Sequence, residues 1–90
     1  MNSAEIEPEL YKLIGRGRIR SMILPEERLR EDLSIDSLTF VRLVIDIERT
    51  FGIRFGDDML TIHIFEKVKN LSQYVMTLVE EKSHESKTSE

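Results

Sequence analysis

The stretch from Leu38 to Phe51 carries apolar residues at helical spacing and constrains the fold more strongly than any other part of the chain. Asp36 and Ser37, which precede it, are residue types that begin helices, and Gly52, which follows it, is a type that ends them. The sequence therefore predicts an amphipathic helix over residues 37–51. One stripe, at positions i, i+4, i+7 and i+11 with one neighbour, should face the core: Phe40, Val44, Ile47, Phe51 and Leu43.

A second apolar stripe, formed by Leu38, Val41 and Ile45, lies about 60–100° around the same helix. A small domain has little interior in which to bury both stripes. In one interpretation this stripe is exposed beside Ser37, where a docking enzyme or a lipophilic cargo would contact it. In the other, the preceding loop covers it. For Leu38 and Val41 the pattern leaves both interpretations open.

Two further helices are predicted from apolar spacing. The first carries Ile6, Leu10, Leu13 and Ile14 and should end at Gly15 and Gly17; the last should begin near Val68 and carry Leu71, Val75 and Leu78. Residues 18–36 form a long loop between the first two helices. Its apolar residues should pack against the core: Ile23, Leu24, Leu29 and Leu33. Loops of this length are uncommon without a function.

The segment after the second helix should begin with a short extended piece, Ile53-Arg54-Phe55, followed by a short helical segment that Asp57 or Asp58 could cap. The predicted fold is all-α: a small four-helix bundle of three main helices plus one short helix, with a long loop between helices 1 and 2. We expect one domain over residues 1–82. The tail 83–90 contains no apolar residue and is predicted to be disordered.

Composition excludes several classes of function. The net charge of the 90 residues is −4, which disfavours a nucleic-acid partner, because such proteins need a basic face. Apolar runs are at most three residues long, whereas a membrane-spanning helix needs about 20, so no membrane association is expected. An acidic, polar N-terminal stretch argues against a secretory signal, and the lack of cysteine fits a reducing compartment. We therefore expect a cytoplasmic location.

Ser37 has no obvious means of activation within the chain. A nucleophilic serine needs a base within hydrogen-bond reach, and His63 is distant in sequence. A Gly-x-Ser-x-Gly turn is also lacking, so a hydrolase is a remote alternative. Asp36 or Ser37 could simply cap the helix. The arginine-rich run from Gly15 to Arg20 is best explained as a helix C-terminus with cations favoured by the helix dipole, and a docking patch is its alternative.

A family resemblance is carried by three segments: Leu33-Ser34-Ile35-Asp36-Ser37-Leu38-Thr39-Phe40-Val41, Ile47-Glu48 and Phe51-Gly52-Ile53. The chain resembles the phosphopantetheine-binding acyl and peptidyl carrier proteins over roughly Ile6 to Val79. The resemblance implies that 4′-phosphopantetheine, taken from coenzyme A, is esterified to Ser37 and carries acyl or aminoacyl thioesters. It also implies that Asp36 assists docking of the modifying transferase and that the carrier itself is not an enzyme.

The implied partners are a phosphopantetheinyl transferase and enzymes that load or condense acyl or aminoacyl groups, served by a monomeric carrier. Docking is expected on one face of the second helix, at Leu38, Val41, Arg42 and Ile45. Fatty-acid carriers often have acidic residues where this chain has Thr39 and Arg42. The departure favours a specialised carrier for a polyketide, peptide or aminoacyl pathway over one for fatty acid biosynthesis. An unmodified helical protein-interaction module is the alternative function.

Two other departures concern local structure. Ser34 replaces a glycine that is frequent before the motif, and Lys67 stands where a capping threonine is common, so a different cap is expected for the last helix. Cargo sequestration is a separate question. A set of apolar residues could line an internal slot or form ordinary core, and the core interpretation is favoured: Leu43, Val44, Ile47, Ile62 and Phe65.

Overall fold

Three α-helices make up most of the fold in the computed structural model of the protein, which describes residues 3–16 and 23–88. They are α1 (Ser3–Gly15), α2 (Ser37–Phe51) and α3 (Val68–Thr88). Two single-turn 3₁₀ helices, Asp57–Met59 and Ile62–Ile64, lie between α2 and α3. They take the place of the one short helix that the sequence predicted. No strand is present in these residues, and the predicted small all-α fold with a long α1–α2 loop is confirmed.

Helix α1 packs against both α2 and α3. Its predicted stripe is largely confirmed, because Ile6, Leu10 and Ile14 are buried and Leu13 is half-buried. The helix ends at Gly15 as expected, whereas Gly17 lies outside the described residues. Burial of this stripe against the other two helices supplies the hydrophobic stabilisation that a short isolated helix lacks.

Helix α2 begins and ends at the predicted residues, and its predicted core stripe is buried along the whole length. Gly52 adopts the left-handed conformation, with φ 66°, and its N–H donates to the Glu48 carbonyl at 2.8 Å. Together with the Ile53 N–H, which donates to the same carbonyl at 3.2 Å, it satisfies an acceptor at the helix end. The five residues named for a cargo slot or core all belong to one cluster of buried side chains, as the core interpretation predicts.

The loop after α1 anchors itself to α3 through its backbone. Val68 N–H donates to the Glu27 carbonyl at 2.9 Å, and Lys69 N–H donates to the Pro25 carbonyl at 2.9 Å. The first N–H groups of a helix have no partner within it, so the loop carbonyls act as caps for α3. The expected different cap is completed by Asn70, whose Oδ1 accepts the Lys67 N–H at 3.0 Å.

Three of the four loop residues predicted to pack against the core do so: Ile23, Leu29 and Leu33 are buried. The prediction for Leu24 is wrong, because this side chain is 48% exposed. Leu24 opens a tight turn in which its carbonyl accepts the Glu27 N–H and its own N–H donates to the Glu27 carboxylate. A turn has no fixed periodicity, so an apolar residue within it need not point inward.

The segment after α2 alternates as predicted, with Ile53 and Phe55 buried and Arg54 exposed. The predicted aspartate cap is wrong: the first 3₁₀ turn follows Gly56 without a side-chain cap, because Asp57 and Asp58 lie within the turn itself. The aromatic rings of this region and α3 pack together with centroids 4.9–6.0 Å apart, which closes the core on this side: Phe40, Phe55, Phe65 and Tyr74.

The backbone of α3 is helical as far as Thr88, and the disorder predicted for residues 83–90 stays a prediction. The absence of apolar residues removes a reason for burial, but residues such as Glu85 and Lys87 favour helix, and neither proline nor glycine interrupts the segment. The domain boundary at residue 82 stays a prediction. Among the residues that the structure describes, no helix combines the length and apolar character needed to cross a membrane.

Candidate functional site

Ser37 is the first residue of α2 and is exposed at the tip of the helix. Asp36 precedes it as the N-cap, with extended backbone at φ −91° and ψ −179°. The cap makes two hydrogen bonds across Ser37: Asp36 Oδ1 accepts the Thr39 N–H at 2.8 Å, and the Asp36 carbonyl accepts the Phe40 N–H at 2.8 Å. The sequence pattern predicted this placement of the hydroxyl, and the cap holds the backbone around it in one conformation.

The loop that leads into the helix is fixed by burial on both sides of Ser34. Leu33 and Ile35 are buried, and the Ile35 N–H donates to the Leu29 carbonyl at 2.9 Å. Ser34 itself is exposed and has φ 56°, the left-handed conformation that glycine adopts most readily. The substitution of serine for the frequent glycine therefore places a strained residue three positions before Ser37.

Asp36 supplies negative charge at the start of α2, whose first turn has no acidic residue of its own. The pKa of Asp36 is lowered, first by the hydrogen bond from the Thr39 N–H and then by the bond to the Thr39 side chain. The charge of Arg42, six residues further along the chain, lowers the pKa of Asp36 further. The carboxylate is therefore ionised beside Ser37 at neutral pH.

An open depression of about 480 Å³ lies beside the Ser37 hydroxyl. Its lining comes from the α1–α2 loop, the start of α2 and the second 3₁₀ turn: Arg30, Glu31, Ser34, Ile35, Asp36, Ser37 and His63. Arg30 Nη1 lies 3.4 Å from His63 Nδ1. The sequence pattern indicated no role for Arg30, and His63 was considered as a base for Ser37 that is distant in sequence. The two are 33 positions apart, and no local pattern indicates that the fold brings them together.

The geometry does not favour a hydrolase. His63 shares the depression with Ser37, but its Nδ1 is directed at the Arg30 guanidinium, and no hydrogen bond joins Ser37 to His63 within the described part of the chain. A serine nucleophile of that kind needs the histidine within hydrogen-bond reach of its oxygen.

The second apolar stripe of α2 is exposed and is not covered by the loop, while its contact with a docking enzyme or a cargo stays a prediction. Leu38 is 66% exposed, Val41 is 41% exposed and Ile45 is 42% exposed. Arg42 is exposed on the same helix, and Asp46 lies 3.9 Å from Arg16 at the end of α1. This α2 surface combines apolar side chains with charges of both signs.

The arginine-rich run after α1 is only partly visible. Gly15 and Arg16 are described, and residues 17–20 lie outside the described part of the chain. Arg16 is exposed at the C-terminal end of α1, where a cation interacts favourably with the helix dipole. The docking-patch alternative for the rest of the run stays a prediction.

Comparison with known proteins agrees with the geometry. The family described as "Phosphopantetheine attachment site" matches residues 17–75, more than half of the chain. An acyl carrier protein of Rickettsia bellii is 32% identical over 80 residues, which cover 87% of each chain. An acyl carrier protein of Chlorobium phaeovibrioides is 33% identical over 60 residues, 64% of this chain and 77% of the relative.

A crystal structure of an acyl carrier protein from Thermotoga maritima has the same fold, with a TM-score of 0.73 at 25% identity, covering 90% of this chain and 94% of that one. The fold, the family match and the sequence relatives all indicate the same family. The covalent cofactor of this family is 4′-phosphopantetheine. The chain belongs to the phosphopantetheine-binding acyl carrier proteins, a family of non-catalytic carriers.

Proposed function

We propose that Ser37 bears the 4′-phosphopantetheine arm and that Asp36 helps the modifying transferase to dock. The observation that carries this proposal is the exposed position of Ser37 at the capped N-terminus of α2. An outside enzyme can reach the hydroxyl there without unfolding any part of the helix. The arm, once attached, supplies a thiol that holds acyl or aminoacyl groups as thioesters.

The attachment reaction requires little from the carrier. A base on the transferase removes the Ser37 Oγ proton, and the oxygen attacks the β-phosphate of coenzyme A. The new bond joins Oγ to phosphorus, while the bond from phosphorus to the leaving adenosine 3′,5′-bisphosphate breaks. The carrier contributes an accessible and oriented hydroxyl, and a helix N-terminus that favours the resulting phosphodiester anion through its N–H groups and dipole.

The exposed stripe of α2 supports a docking role for Leu38, Val41 and Ile45, with Arg42 between them in sequence. Exposed apolar side chains beside a tethering point offer an area that a partner can bury. Arg42 and Arg49 make the α2 surface less acidic than a row of carboxylates, so steering toward a strongly basic partner is weak. This charge pattern supports a specialised polyketide, peptide or aminoacyl pathway. The test is to offer the modified protein to loading enzymes of each class and to compare kcat/KM.

Modification is tested by incubating the purified protein with coenzyme A, magnesium and a broad-specificity phosphopantetheinyl transferase, followed by intact mass measurement. We expect one adduct on the unaltered protein, none on Ser37→Ala and one on Ser34→Ala. The last variant is the matched control, since Ser34 is exposed in the same depression. If the unaltered protein gains no adduct, the chain is an unmodified interaction module; if Ser37→Ala still gains one, the assignment of the residue is wrong.

A further inference from the structure

We propose that Arg30 and His63 form a phosphate-binding subsite, which holds the phosphodiester of the arm against the depression beside Ser37. The inference rests on the proposed attachment of the arm to Ser37. It adds two residues, from the α1–α2 loop and from the second 3₁₀ turn, that bind the arm rather than a partner enzyme.

The first observation is that two side chains able to donate hydrogen bonds, the Arg30 guanidinium and the His63 imidazole, meet at this site. Arg30 Nη1 lies 3.4 Å from His63 Nδ1, and both side chains line the same depression as Ser37. In the geometry seen, the guanidinium donates to Nδ1. A histidine that accepts at Nδ1 carries its one ring proton on Nε2, and this N–H is available to donate to another acceptor.

The second observation is that Arg30 lacks a carboxylate partner. Within the described residues it forms no ion pair, although Glu31 and Asp36 line the same depression. Asp36 directs Oδ1 to the Thr39 N–H, which engages that carboxylate in the helix cap. The guanidinium therefore keeps N–H groups available at the edge of the site.

The chemistry of the arm matches these donors. Phosphorus would be bonded directly to Ser37 Oγ, so the two non-bridging oxygens, which share one negative charge, would be two bonds from the Oγ of a residue that lines this depression. The guanidinium presents a planar fork that fits two phosphate oxygens, and a histidine N–H adds a further donor. Glu31 and Asp36 oppose an anion here, and both groups are exposed, so the subsite orients the phosphate without holding it rigidly.

The test uses the modified protein, whose single adduct is first verified by intact mass. Phosphorus-31 NMR spectra are then recorded at one fixed neutral pH for the unaltered protein, Arg30→Gln and His63→Gln, with Arg49→Gln as the matched exposed arginine outside the depression. We expect the phosphodiester resonance of Arg49→Gln to match that of the unaltered protein. Arg30→Gln and His63→Gln should each shift the resonance and narrow it, because the phosphate becomes more mobile.

Thermal unfolding of each variant checks that the fold is intact, which is expected since both side chains are exposed. If the resonance has the same position and width in all four modified proteins, the subsite does not exist, while the attachment to Ser37 stands. If no adduct forms at all, the proposed function and the subsite are both wrong.

Discussion

Asp36 caps helix α2 across Ser37, with its Oδ1 accepting the backbone N–H of Thr39 at 2.8 Å. The residue proposed to bear the arm therefore lies between the two partners of a hydrogen bond that begins the helix. This arrangement combines a fixed backbone with a side chain that faces solvent. It also places a carboxylate with a lowered pKa next to the attachment point.

The Asp36 cap should make the stability of the folded protein depend on pH in the acid range. Because the pKa of Asp36 is lower in the folded protein than its ordinary value of 3.8, the stabilisation is present above that value and is lost as pH falls through the folded pKa. Asn at position 36 keeps an oxygen for the Thr39 N–H but cannot ionise. We expect the free energy of unfolding of the unaltered protein to fall more steeply below about pH 4 than that of Asp36→Asn. Urea unfolding at a series of pH values measures both, and parallel curves would contradict the prediction.

The strained serine before the motif gives a prediction on stability. Ser34 has φ 56°, and Ser34→Gly relieves the strain while increasing the freedom of the unfolded chain. The net change we expect is a stabilisation of about 0.5–1 kcal/mol, measured by urea unfolding. Ser34→Ala keeps a Cβ in the same conformation and should give no such gain. An unchanged or lower stability of Ser34→Gly would show that the loop does not impose this conformation.

The α1–α2 loop is predicted to act as part of the core. Leu29 is fully buried while Leu24, in the same loop, is 48% exposed. We expect Leu29→Ala to lower the free energy of unfolding by about 2–5 kcal/mol because it removes buried apolar area and leaves a cavity. Leu24→Ala should change it by less than about 0.5 kcal/mol. Similar losses for the two variants in urea unfolding would mean that the loop does not pack as described.

The exposed stripe of α2 is predicted to affect docking and not folding. Leu38→Ser combined with Val41→Thr should lower kcat/KM for modification by the transferase by about tenfold, which corresponds to about 1.4 kcal/mol of lost contact. The control is Leu60→Ser, because Leu60 is 42% exposed outside the stripe. Steady-state kinetics with the carrier as the varied substrate give both values. Equal rates for the two variants would place docking elsewhere.

The spacing of apolar residues correctly predicted the helices, in which buried residues recur at regular intervals. It gave wrong predictions in the turns, where they do not. Both ends of α2 and the start of α3 follow from caps, a glycine and apolar spacing, which act over a few residues. Leu24 and Asp57 were misplaced because turns have no fixed period. The approach of Arg30 to His63 depends on how the loop lies beside the second 3₁₀ turn, and no local pattern contains that information.

The central claim is that Ser37 is the hydroxyl that bears the arm. Tandem mass spectrometry of the modified protein, with fragments that separate Ser34, Ser37 and Thr39, measures the position directly. We predict that the mass of the arm, and its ejection on fragmentation, are found only in fragments that contain Ser37. An arm on Ser34, Thr39 or any other residue would contradict the claim.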